Sequence, residues 1–310
     1  MIGLITHRLL QAGLTLLGIS LLVFVGANLL PGDVADALLG QAATPEAAAA
    51  LRASLHLTDP AWLRYLHWLA GLVRGDLGIS PVTGLPVAAM IGGRLPNSLL
   101  LAALTTAVSV PIALLLGIGA AVWRGSAFDR VVAVLSIGAI SVPEFLVATV
   151  LVILFAVQLH WLPALSDPQS RDMASNFALP VLTLSLPVIA QMSRMTRAAL
   201  VGILDTSYIE MARLKGLRPG RIVLRHALPN ALGPIATAAA LSLSWLLGGV
   251  IVVEVIFNYP GLAKLMVDGV STRDMPLIQA CAMLFCAAYL LLVLLADLCS
   301  IASNPRLRTA

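Results

Sequence analysis

Three carboxylates interrupt otherwise apolar stretches of this 310-residue chain: Glu144, Glu254 and Asp297. A charge held in hydrocarbon is costly and marks function by default. Glu144 follows Ser141-Val142-Pro143. Pro143 removes a backbone donor and frees a carbonyl, so a local kink facing a cavity is expected there. Asp297 lies close to one end of its stretch and reads as the partner of a nearby Arg or of a helix N-terminus. Other chemistry is sparse. Phosphate binding by a P-loop needs Gly-x-x-x-x-Gly-Lys-[Ser/Thr]. The only lysines are Lys215 and Lys264, and neither follows a Gly. The histidines His7, His56, His67, His160 and His226 form no ligand pair, because Asp59-Pro60 breaks any helix shared by His56 and His67. Gly18-Ile19-Ser20 and Gly78-Ile79-Ser80 lack the last Gly of a nucleophile elbow. No catalytic residue and no metal site are assigned.

These residues are set in an unusual composition. Hydrophobic residues make up 59% of the chain and charged residues only 11%. Soluble domains run at roughly 45–50% and about 25%, so the charges here could not cover a water-facing surface. Disorder, collagen and an ordinary soluble enzyme are excluded, and an integral membrane protein is implied. The aromatic share of 5% argues against a β-barrel with aromatic girdles. Cys281, Cys286 and Cys299 share one apolar stretch and read as packing residues, not as a disulfide framework.

A membrane helix takes roughly 20 apolar residues. Six are expected, near Leu9–Leu30, Ser98–Trp123, Val131–Leu159, Phe177–Ala199, Leu232–Ile256 and Leu277–Ala302. His7, Arg8 and Ala35-Asp36-Ala37 give the first a signal-peptide look, but its apolar run exceeds the roughly 7–15 residues of a signal core, so it reads as a retained helix. With the N-terminus in the cytoplasm, the cytoplasmic segments carry 12 of the 19 Lys and Arg. That places both termini inside. It also explains the net charge of +4 without nucleic acid. The fold class is an all-α membrane protein with six transmembrane helices, read as a single domain over residues 1–310. The external segment is 31–97. In it, Thr44-Pro45-Glu46 starts one helix running to Leu57. Asp59-Pro60 opens another over Ala61–Val73, with Trp62, Tyr65, Leu66 and Leu69 as its amphipathic face.

The cytoplasmic loop, 201–231, carries the densest pattern. A short helix is expected over Thr206–Lys215, capped by Thr206 or Ser207, with Glu210 in its first turn. Gly216, able to take φ > 0, ends it. A second short helix over Arg221–Ala227 follows the Pro219-Gly220 turn and stops at Leu228-Pro229. The result is a basic helix–turn–helix projection with Ile209, Ala212 and Leu217 available to pack. Taken alone, Arg213, Lys215, Arg218, Arg221 and Arg225 suit a solvated loop touching anionic lipid.

The loop also resembles a known pattern. Glu210-x-Ala212-x-x-x-Gly216, with Leu228-Pro229 closing it, looks like the EAA loop of ABC-importer permeases. Met211 departs from the usual Ala, and His226 from the usual Ile. Arg225-His226-Ala227-Leu228 is instead similar to the peptide/nickel branch, B-type subunit. So are Pro31-Gly32-Asp33, Gly75-Asp76-Leu77-Gly78-Ile79-Ser80, Arg94-Leu95-Pro96-Asn97-Ser98, Arg194-Met195-Thr196-Arg197, Glu254-x-Ile256-Phe257 with Pro260-Gly261, and Asn304-Pro305-Arg306.

The resemblance implies a permease subunit in a bacterial inner membrane, forming half of a path for di- or oligopeptides by alternating access. Nickel or a metal chelate is the alternative cargo. It implies three kinds of partner: a second permease, so a heterodimer; two ATPase subunits, which would hold ATP and Mg; and an extracytoplasmic substrate-binding protein. No cofactor is expected on this chain. The ATPase-coupling residues are then Tyr208, Glu210, Ala212, Arg213, Gly216, Leu228 and Pro229. Glu254 matches a family position, structural or gate-forming. Glu144 stands where the family has a neutral residue. It reads either as lining the path, against a cationic group such as a peptide amine, or as paired with a polar group on the partner subunit. Two rivals remain. An ion-driven secondary transporter should show internal repeats, and an intramembrane enzyme should show a paired nucleophile and base. The sequence displays neither.

Overall fold

A computed structural model describes residues 2–29, 44–54, 59–168 and 172–303. Pro31-Gly32-Asp33, Ala35-Asp36-Ala37, His56 and Asn304-Pro305-Arg306 lie outside them. Among the described residues the chain is helical, apart from one isolated bridge between Ile79 and Pro86. Five helices among the described residues are long and apolar enough to cross a membrane, or six if one bent pair counts as a single span. The chain divides into two compact units. One comprises Thr6–Ser98 and Pro260–Ala288; the other holds Leu99–Tyr259 with the described residues at 2–5 and 289–303.

In the first unit, α1 (Ile2–Asn28) is joined by α2 (Pro45–Ser54) and α3 (Ala61–Arg74). Phe24 on α1 meets Tyr65 edge-on at 5.4 Å between ring centroids and lies 6.0 Å from Trp68. The hydroxyls of Ser20 and Tyr65 hydrogen-bond at 2.8 Å, and Arg64 donates to the Asn28 side chain at 2.8 Å. The inward stripe of α3 is therefore Tyr65, Trp68, Leu69 and Leu72, while Trp62 and Leu66 are exposed. This corrects the expected face. The helix carries apolar side chains on most sides, so its phase is set by Phe24 and Ser20, which spacing within α3 does not reveal. Gly75 ends α3 at φ +79, where a left-handed residue is required.

The family-like motifs of this unit hold structure together. The Gly78 N–H is bonded by the Asp76 carboxylate at 2.9 Å. The Ser80 hydroxyl donates to the buried carboxylate of Asp274, which also accepts from the Leu277 N–H at the start of α11 (Met275–Ser303). Asn97 donates to the Pro260 carbonyl at 2.8 Å, and the Ser98 hydroxyl accepts from the Leu262 N–H at 2.7 Å, fixing the start of α10 (Leu262–Thr272). Asn97 and Ser98 belong to α4 (Val87–Val122).

The second unit contains the remainder of α4, α5 (Ala127–Ser141), α6 (Glu144–Leu151, continuing as π-helix over Val152–Gln158), α7 (Met173–Leu204), α8 (Ser207–Leu214) and α9 (Pro219–Ile256). α4 and α7 approach so closely that a Cβ on Gly117 would lie 2.7 Å from both the Ser193 carbonyl oxygen and the Thr196 Cβ. Only glycine fits there. Prolines 180, 187 and 234 lie inside helices, as membrane segments tolerate where neighbours satisfy the freed carbonyls. Asp172 caps α7 through the Ser175 N–H at 3.2 Å, and hydrogen bonding from Ser175 holds its carboxyl below the usual range.

The expected third span, Val131–Leu159, is not one continuous helix. α5 ends at Ser141, Val142 is extended, and α6 departs at 99°. Pro143 precedes the first residue of α6, where its missing N–H costs nothing. The kink foreseen at this proline is thus a full change of direction.

Candidate functional site

The loop after α7 is built on a buried apolar cluster. Ile209 is 0% exposed and Ala212 nearly as buried; they pack with Leu200, Ile222, Ala227 and Ala231. Leu217 packs against the same cluster. Burying a side chain the size of Ile209 is worth about 1.5–3 kcal/mol. α8 is therefore fastened to the end of α7 and the start of α9 instead of dangling in solvent. Gly216 sits at φ +72, as its place after the helix demands. Thr206 holds the N-cap position, but its hydroxyl donates back to the Ile203 carbonyl, so it provides no side-chain cap.

The opposite face of α8 is open. Tyr208, Glu210, Met211, Arg213 and Leu214 are exposed, Met211 at 53% and Leu214 at 77%. The Arg213 guanidinium reaches the Leu204 carbonyl at 3.5 Å. Arg124 and Asp205 form a surface ion pair at 2.9 Å beside the loop. At the start of α5, Arg197 grips Asp129 with two hydrogen bonds, at 2.6 and 2.8 Å, while the Gly125 N–H donates to the same carboxylate at 2.9 Å.

One expectation for this loop is corrected. The second short helix does not stop at Leu228-Pro229. It is the first part of α9, which runs from Pro219 to Ile256 without a break. Residues Ile222–Ala227 take π-helical geometry, and Pro229 lies in the first turn of the α-helical stretch that resumes at Leu228, where a missing N–H is tolerated. The His226 carbonyl near this turn accepts from the Asn230 amide at 2.7 Å and from the Tyr208 hydroxyl at 3.4 Å. Tyr208 and the Leu228-Pro229 pair are thereby brought to one place.

The second feature is a cavity of about 410 Å³ at the bend between α5 and α6. Its walls come from α5, α6, α7 and α9, including Pro143, Glu144, Pro187, Gln191, Ser242 and Trp245. Glu144 is half-buried and folds back onto α9; a Cβ on Gly249 would lie 2.5 Å from its Oε2. The expectation of a cavity at Pro143 was legible. The roles of Gln191, Ser242, Trp245 and Gly249 were not, because they come from distant helices; the Gly248-Gly249 pair inside a span was the available signal.

Glu254 does not line this cavity. It is 0% exposed near the end of α9, and its carbonyl accepts from the Tyr259 N–H at 2.9 Å. Burial, and then the Glu254 charge, push the Tyr259 phenol above its ordinary range. Tyr259 also meets Phe177 edge-on at 5.6 Å. Asp297 is half-buried in α11. Among the described residues no cluster of His, Cys, Asp and Glu could hold a metal ion.

A helical chain of apolar spans, with a braced loop between the fourth and fifth, has the layout of a permease subunit. Residues 109–309 match the family "Binding-protein-dependent transport system inner membrane component", and residues 1–102 match its N-terminal counterpart, "Binding-prot-dependent transport system membrane comp, N-term". The chain belongs to this family of ABC-importer permeases, whose members are multi-pass proteins of the inner membrane.

Among its relatives are the proteins named "Glutathione transport system permease protein GsiC" of Escherichia coli (strain K12), Shigella dysenteriae serotype 1 and Salmonella choleraesuis. Each is 38% identical over 308 residues, covering 99% of both chains. Two crystal forms of the inward-facing MetNI methionine ABC transporter are also similar. They show 18% identity and TM-scores of 0.46 and 0.48, over 72% and 71% of this chain and 95% of each of theirs. Membership of the family rests on the sequence matches alone.

Proposed function

We propose that this chain forms one half of a translocation path for small peptides, glutathione-like tripeptides included, in an ATP-driven importer working by alternating access. Support for the cargo comes from the full-length similarity to permeases named for glutathione transport. A second permease would complete the path. Two ATPase subunits would bind ATP and Mg on the cytoplasmic side, and a substrate-binding protein would deliver cargo from outside. Both termini would face the cytoplasm. Residues 1–310 would act as one permease domain, with no hydrolytic chemistry of its own.

One observation carries this reading: α8 is fastened by Ile209 and Ala212 on one face and leaves Tyr208, Glu210, Met211 and Arg213 open on the other. A helix held in this way transmits displacement. A separate motor seated on its open face would move the ends of α7 and α9 with it. Gly216 lets the chain turn back, and Leu228-Pro229 follows the π-helical stretch of α9. Vesicles containing this chain, its partner permease, the ATPases and the binding protein should accumulate glutathione only with ATP. Accumulation driven instead by an ion gradient, unaffected by omitting the ATPases, would refute the proposal.

A further inference from the structure

We infer that the chamber at the α5–α6 bend is a selectivity site for a primary ammonium group on the cargo, with Glu144 as its counter-charge. The inference rests on the peptide reading above and adds the chemical group recognised. Glu144 is the only charged residue among those lining the chamber. None of the ion pairs among the described residues includes it. A carboxylate kept at a broken span, with only the α6 N-terminus and no cation among the described residues to balance it, calls for a cation from elsewhere.

The surroundings suit an ammonium head. α5 ends at Ser141, and Ala139 and Ile140 in its last turn line the chamber. The final carbonyls of a helix lack intrahelical donors, and that end carries the negative pole of the dipole. The Gln191 side chain adds an amide oxygen, and the buried Ser242 hydroxyl has no hydrogen-bond partner among the described residues. Trp245, 74% exposed, also lines the chamber, and an indole face attracts cations. The volume of about 410 Å³ falls within the range of small-ligand sites. Gly249 completes the arrangement, because any side chain there would displace the carboxylate.

The test compares ATP-driven uptake of alanyl-alanine and N-acetyl-alanyl-alanine by the complete reconstituted complex. The same binding protein serves every variant, so its own preference cancels between them. Glu144→Gln should lower free-amine uptake by roughly tenfold or more, the scale of a hydrogen bond to a charged group, and leave acetylated uptake unchanged. Gly249→Ala, which keeps the charge but moves it, should act in the same direction, and Glu144→Asp should retain part of the preference. If Glu144→Gln slows both cargoes equally, or neither, the ammonium site is wrong; an equal loss with a dissociating permease pair would instead place Glu144 against the partner. If the wild-type complex moves neither these peptides nor glutathione but does move another solute, the peptide reading itself fails and the site falls with it.

Discussion

The loop after α7 and the bend after α5 both interrupt long helices, and they do so by opposite means. The loop turns around a sealed apolar cluster, with Ile209 and Ala212 inside and the polar residues of α8 outside. The bend turns around an open chamber with a carboxylate turned inward against Gly249. An apolar anchor stabilises, whereas a carboxylate at a broken span costs stability and persists only for what it binds. On the proposed reading, the difference separates a part that would transmit force from a part that would meet cargo.

Substitutions can break that contrast. The largest effect is expected from Ile209→Asp, which buries an unpaired charge in the cluster. A loss of about 3–5 kcal/mol should appear as a sharp fall in the melting temperature of the purified permease, together with loss of ATP-driven uptake. Gly117→Ala comes next. The 2.7 Å approach to Ser193 and Thr196 leaves no room for the added methyl, and about 1–3 kcal/mol should be lost in the same melting measurement.

Smaller effects sharpen the contrast further. Gly216→Val places a β-branched residue at φ +72; a local cost of about 1–2 kcal/mol should loosen α8 and reduce ATPase co-purification. Glu144→Gln should leave stability unchanged or raise it by up to about 1 kcal/mol in the same melting measurement, since it removes a partly desolvated charge. A large destabilisation there would mean that the bend is structural after all. Arg124→Ala removes only an exposed pair with Asp205, so a change within about 1 kcal/mol, diminishing as salt rises, is expected.

The two regions also differed in how readable they were. Gly216, Pro219 and the spacing of Ile209 and Ala212 announce the loop, because caps, turns and helical faces are local properties of a sequence. The continuation through Pro229 was missed because a π-turn leaves no local signature. At the bend, Pro143 and Glu144 were visible, but the 99° change of direction was not. The chamber beside it is walled by Gly249 of α9 and Gln191 of α7, which are brought there across long sequence separations. The stripe of α3 was misplaced for the same reason: Phe24 and Ser20, not the periodicity of the helix, select Tyr65 and Trp68.

The most direct measurement is photo-crosslinking from α8 in native membranes. A benzoylphenylalanine at Met211, on the exposed face, is compared with one at the exposed Trp161 between α6 and α7. Adducts to a P-loop ATPase subunit from Met211 and none from Trp161 are expected if α8 couples the permease to a separate motor. No ATPase adduct from Met211 in a complex that still imports peptide would contradict that role.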